Sequence, residues 1–201
     1  MTAEPAATQE KGRPGARSRS QHQRRRRIVQ AAAALASRGG VEAMQMRTVA
    51  ERAGVALGTL YRYFPSKMDL VVAVVGEELD LLEGSIERRP PRADAPPERA
   101  VEVLMRATRG LMREPELAEA LIRSLLLSDV KTDFGDRMTV LLLRAAVGPQ
   151  EVADDDPRRV VARALTSIWT MEMIEMLRGH ADAERSQTRL ELAAARLLHD
   201  F

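Results

Sequence analysis

The chain has 201 residues, 45% of them hydrophobic and 30% charged, with no cysteine and a net charge of +2. Lack of cysteine excludes a disulfide framework and any thiolate metal site and suits a reducing cytoplasm. His22, His180 and His199 have no metal-ligand spacing, and no apolar run reaches the roughly 18 residues of a membrane span, so neither a metal nor a membrane partner is expected.

Residues 1–20 hold Pro5, Gly12, Pro14 and Gly15 without periodic apolar positions, which predicts a disordered arm. Eight basic and no acidic residues lie between Lys11 and Arg27, leaving residues 28–201 at −4. All the positive excess sits at one end, and that asymmetry suits a phosphate-bearing partner or, more plainly, a solubilising tail. From Gln21 the spacing of Ile28, Ala31, Ala32, Leu35 and Ala36 predicts a helix that stops at Gly39-Gly40. Two short helices follow, Arg47 to Ala53 and Leu57 to Tyr63, separated by Gly54. Pro65 closes the second, and Ser66 is positioned to cap a long helix over 67–87. After the proline-rich stretch 90–97, helices are predicted over 97–113, 115–128, 133–147, 156–179 and 184–199, with no strand pattern anywhere. The fold class is all-α: a helix-turn-helix unit at 21–66, then a unit at 67–201 that opens with the 67–87 helix.

Residues 46–63 carry the most specific signal. A DNA-binding helix-turn-helix needs a small residue within its first helix, glycine at the turn and apolar residues where the helices face each other. Ala50, Gly54, Val55, Leu60 and Tyr63 meet these demands in order. Alone, Ala-x-x-x-Gly is a weak motif; with the apolar pattern and the adjacent basic arm it points to double-stranded DNA as partner.

The string GTLYRYFPSKMDL at 58–70 resembles the N-terminal domain of the TetR family of one-component bacterial regulators. The resemblance implies three DNA-binding helices, a linking fourth helix and a larger domain that dimerises and binds a small effector. Carried over by position, Leu57, Gly58, Thr59, Tyr61, Arg62 and Tyr63 form the recognition helix in the major groove, with Arg47 and Thr48 beginning the positioning helix and Lys67 meeting a phosphate. Arg62 can read a guanine edge or pair with phosphate, whereas Leu35, Val49, Val55, Leu60 and Phe64 belong to the core. Gln45-Met46 stands where many relatives have threonine, so the family's usual capping phosphate contact is not carried over. The longer run at 44–67, echoed at 113–124 and 190–198, is similar to actinobacterial repressors of cholesterol catabolism, which implies a hydrophobic steroid- or acyl-CoA-type effector.

In the C-terminal half, six methionines with few aromatics besides Phe134 and Trp169 suit either an adaptable cavity or an ordinary core. Met105, Leu121, Leu125, Met138, Leu142 and Met173 are the expected lining residues. Arg106, Arg109 and Arg123 are available to an anionic group or serve as solvated helix charges. The last two helices present Val160, Leu165, Ile168, Leu190 and Leu197 for a homodimer, which predicts a pseudo-palindromic operator. No nucleophile–base pair, phosphate loop or metal cluster stands out, so no catalytic residue, metal or cofactor is expected. A ligand-free architectural DNA binder is the competing possibility.

Overall fold

A computed structural model describes the backbone of residues 14–127, 132–148, 152–199 and 201, and the side chains of these except 14–18 and 124–127. The described residues form nine α-helices and no strand: α1 (Pro14–Ala43), α2 (Met46–Ala53), α3 (Leu57–Tyr63), α4 (Lys67–Arg88), α5 (Pro96–Leu111), α6 (Pro115–Leu127), α7 (Phe134–Val147), α8 (Pro157–Leu177) and α9 (Ala183–Leu197).

Residues 14–20, expected within a disordered arm, are the first turns of α1. Pro14 occupies the opening position of that helix, where its fixed φ is helical and its missing N–H costs nothing. Residues 1–13 of the expected arm lie outside the described residues. The predicted stop at Gly39-Gly40 is a kink, with Gly40 at φ +63° and a short helical turn beyond it.

Helices α1, α2 and α3 pack around Ile28, Val29, Ala32, Met44, Val49 and Leu60, all fully buried. The α2–α3 turn is set by Gly54 at φ +64°, a left-handed conformation that side chains disfavour. There the Gly54 N–H donates to Glu51 O at 3.2 Å and the Val55 N–H to Ala50 O at 3.0 Å. Just after α3, Ser66 and Asp69 form a reciprocal capping box: the Asp69 N–H donates to Ser66 Oγ (3.2 Å) and the Ser66 N–H to Asp69 Oδ2 (2.9 Å). Only three residues therefore separate the end of α3 from the rigid start of α4.

Helix α4 runs from this cap into the larger helical body, packing on α1, α5, α6 and α7. In the body, Arg99 donates to the last carbonyls of α7, Ala145 O and Ala146 O, at 2.7 Å each. A buried polar pair fixes α8 against α9: Glu172 accepts from Ser186 Oγ at 2.9 Å and lies 3.3 Å from the Arg189 guanidinium. Leu165 and Leu190, expected on a dimer face, are instead fully buried within the chain, because their sides of α8 and α9 face the body. Ile168 and Leu197 are half-buried against the same core, and Val160 is 70% exposed.

Candidate nucleic-acid interface and effector cavity

The seven-residue α3 has one face in the core and one at the surface. Leu60 is fully buried, and Phe64 just beyond is buried beside it. The other side presents Leu57 and Tyr61, one turn apart and 37% and 45% exposed, along with Gly58 and Arg62. Large apolar side chains in such a row on a short helix mark a surface shaped for a partner. A Cβ added at Gly58 would meet nothing within 4 Å, so the fold itself does not require glycine there. Arg47 and Thr48 are exposed on the first turn of α2, while Thr59, Tyr63 and Lys67 are half-buried. Among the described residues neither Arg47 nor Arg62 pairs with a carboxylate, whereas Lys67 Nζ lies 3.7 Å from Glu42. Gln45, the residue before α2, makes no side-chain cap.

One contact went unread in the sequence. The Arg25 guanidinium sits 5.4 Å from the centroid of the Phe64 ring, a cation–π contact that ties the basic end of α1 to the end of α3. Its signal in sequence was slight, since Arg25 is one of four consecutive arginines and nothing distinguishes it locally.

In the body, a cavity of about 310 Å³ opens between α4, α5 and α7. Val75, Leu79, Ala107, Phe134 and Met138 form its buried floor, and Arg109 and Arg113 stand exposed at its mouth with Arg106 and the partly desolvated Glu78 beside them. Arg106 is engaged by Glu102 and donates to Arg89 O. Burial raises the Glu78 carboxyl above its ordinary value; the nearby Glu114 adds to this and Arg113 opposes it.

The expected lining residues disperse. Met138 lines this cavity, while Leu121 and Met173 line a separate small void behind it. Met105 faces a groove between α5 and α9, and Leu142 is fully buried in packing, so neither belongs to the same cavity. Helical periodicity marks a buried side without saying which neighbour it meets. The Leu125 side chain lies outside the described residues. Arg123 pairs with Glu119 on an exposed turn and is absent from the cavity; Arg113, which sequence reasoning passed over, takes its place. The α5–α9 groove is larger, about 860 Å³, but carries Glu98, Glu102 and Glu191 and touches no residue of α4.

A helix-turn-helix with an outward recognition helix, continued by one helix into a hollow helical body, defines a one-component DNA-binding regulator. Residues 28–74 match the family model for bacterial regulatory proteins of the tetR family, and residues 93–197 match the tetracyclin repressor-like C-terminal domain. The chain belongs to the TetR family; it is a transcriptional regulator and not an enzyme. It is 39% identical to the HTH-type transcriptional repressor KstR of Rhodococcus jostii over 91% of this chain and 86% of the relative. Similarity to KstR of Mycobacterium tuberculosis is 34% over 91% and 84% of the two chains. A TetR transcriptional regulator from Rhodococcus sp. RHA1 shares the fold at a TM-score of 0.73 and 32% identity, over 91% of this chain and 99% of that one. Regulators of this family bind DNA and small molecules and act as dimers. Among the described residues no helix is long and apolar enough to cross a membrane.

Proposed function

We propose that this regulator is a cytoplasmic repressor released from a palindromic operator by an anionic, largely apolar effector of the acyl-CoA type, with a fatty acyl or steroid body. Residues 21–66 form the DNA-binding unit, read through Tyr61, Arg62 and the Gly58 approach. Residues 67–201 hold the effector and the dimer. One observation carries the reading: the helix separated from the recognition helix by only three residues also forms a wall of the cavity. An apolar body inserted against Val75, Leu79 and Met138 pushes on α4, while Arg109 and Arg113 hold the anionic end at the mouth.

Two contacts complete the coupling. Arg137 of α7 binds Asp80 and Glu83 of α4, so α4 and α7 respond together. Ser37 Oγ donates to Glu114 Oε1 at 2.6 Å, joining α1 to the residue next to Arg113. The outward stripe of Val160, Ala164 and Met171 on α8 with Leu192 on α9 is the face for the second copy. A ~100-fold loss of operator affinity needs only about 2.7 kcal/mol of differential effector binding between the two dimer states.

The test is selection and sequencing of DNA bound by the purified chain, followed by titration of the enriched fragment complex with fatty acyl and steroid acyl-CoA thioesters. An inverted repeat that is released by at least one thioester is expected. Tight binding to an inverted repeat, unmoved by every thioester, refutes the effector class and leaves the DNA reading standing.

A further inference from the structure

The cavity at α4, α5 and α7 does not end at its floor. Behind it lies a second void of about 10 Å³ lined by Leu121, Ile122, Trp169 and Met173, and the two spaces share the same walls, Leu111 and Phe134. At that volume and with so apolar a lining the inner void is too small to hold a stable water. The outer cavity, at about 310 Å³, stands at the lower end of the range for small-molecule sites. Past the Phe134 ring lies apolar space that the ring itself closes off.

The Phe134 ring is held by packing alone, whereas its neighbour's indole is also hydrogen-bonded. The ring is stacked on Trp169, with centroids 6.2 Å apart and planes 19° from parallel. The Trp169 indole is fixed from the other side: Nε1–H donates to Thr108 Oγ1 at 2.9 Å, and Thr108 donates in turn to Leu104 O at 2.9 Å. Phe134 has no such tether. It is the first residue of α7, where its backbone N–H is held by Thr132 Oγ1 at 3.2 Å while its ring makes no hydrogen bond, and Gly135 after it has open space at its Cβ position. Met138 and Met173, on either side of the ring, are side chains that adapt to a changed shape.

We infer that Phe134 is the partition that sets effector length: turned off Trp169, it joins the two spaces into one apolar channel that admits the far end of a long acyl or steroid body. This rests on the acyl-CoA reading above. Short-chain thioesters fill the outer cavity with the stack intact, and long-chain ones displace the ring. Where the displaced state is a minor conformer, long-chain affinity is reduced by its population, so removing the ring favours long chains over short ones.

The chain's single tryptophan makes this measurable, because Trp169 is the only residue of its kind. The full-length protein is titrated with short-chain and long-chain fatty acyl-CoAs, each brominated at the far end, with binding followed by calorimetry and bromine contact by Trp169 quenching. Saturable quenching by the long chain and none by the short chain is expected. Phe134→Ala is expected to shift the ratio of long-chain to short-chain affinity about tenfold toward the long chain. Phe134→Leu, the milder variant should the alanine protein not fold, shifts the ratio in the same direction. Long-chain binding without quenching, or Phe134 variants that shift both chains alike, overturns the partition and leaves the effector class intact. Failure of both thioesters to bind by calorimetry overturns the fatty-acyl form of the effector reading and the partition together.

Discussion

The two ends of α4 lie in surroundings of opposite kinds. At its N-terminal end the helices close on a solid core of small and medium side chains, and the functional residues point outward from a surface fixed by Leu60, Val49 and the Gly54 turn. Farther along, α4 lines a cavity, and the functional side chains point inward from Val75, Leu79 and Met138. A rigid reader suits base recognition, which requires donors held in register. A hollow receiver suits a ligand that must change the packing around it. The same helix serves both because its start is locked by the Ser66–Asp69 capping box while its body has an empty space on one side.

The contrast is broken most severely by separating the two copies. Val160→Glu with Leu192→Glu places charges on the exposed apolar stripe without touching the core, so the monomer is expected to stay folded. Loss of the second half-site removes the linked binding event, and operator affinity falls ~100-fold or more. Analytical ultracentrifugation beside operator titration checks this; a dimer that survives both substitutions places the interface elsewhere. Next in size is Arg62→Ala on the solid side. An exposed, unpaired arginine contributes little to folding, so the melting temperature is unchanged, while a lost base contact costs ~1–3 kcal/mol of operator binding. On the hollow side the expectation is reversed. Arg113→Ala weakens effector binding by about tenfold, the scale of a charge-assisted hydrogen bond, and leaves effector-free operator affinity as it was.

Legibility in the sequence follows the same division. The reader was plain because its constraints are local: Gly54 at a left-handed turn, Ser66 three residues before Asp69, Leu60 and Phe64 on one face. Each depends on neighbours a few residues away, which is what spacing encodes. Helix α8 was ambiguous for the opposite reason. Its apolar residues extend around much of the helix, so Leu165, Trp169 and Met173 turn inward while Val160 and Met171 turn outward, and periodicity alone does not separate them. The cavity was the least legible. Arg113 and Phe134 converge on it from elements distant in sequence, whereas Met105, equally apolar and on the same helix as Arg106, faces the α5–α9 groove. Pro14 misled in another way, because proline reads as a breaker inside a helix but opens one at its first position.

Gly58 sharpens the comparison at a smaller scale. Alanine there fills open space and removes the flexibility of a glycine within a helix, so Gly58→Ala is expected to stabilise the chain by up to ~1 kcal/mol. The same methyl group stands where the duplex approaches, and operator binding weakens. A melting curve and a binding curve that move in opposite directions identify the glycine as serving the partner; a fall in both identifies it as serving the fold.

The smallest effect concerns the mouth of the cavity. Burial, then Glu114, raises the Glu78 carboxyl above its ordinary value of 4.5, against the pull of Arg113. A raised carboxyl pKa means that the folded chain holds the proton to higher pH than the unfolded chain does. The protonated form's contribution to stability is therefore complete below the ordinary value and is lost as pH rises through the raised one. Once ionised, Glu78 is a carboxylate beside the arginines meant for an anion. Glu78→Gln should raise the melting temperature by no more than ~2 °C at pH above the raised value and by nothing below the ordinary one. It should also tighten anionic effector binding about twofold to fivefold, the scale of an exposed charge pair. Wild-type affinity should climb relative to the variant's as pH falls and Glu78 takes up its proton, the effector's own titration cancelling in the comparison. Parallel pH profiles for the two proteins would place the anion away from Glu78, and so away from the arginines that stand beside it at the mouth.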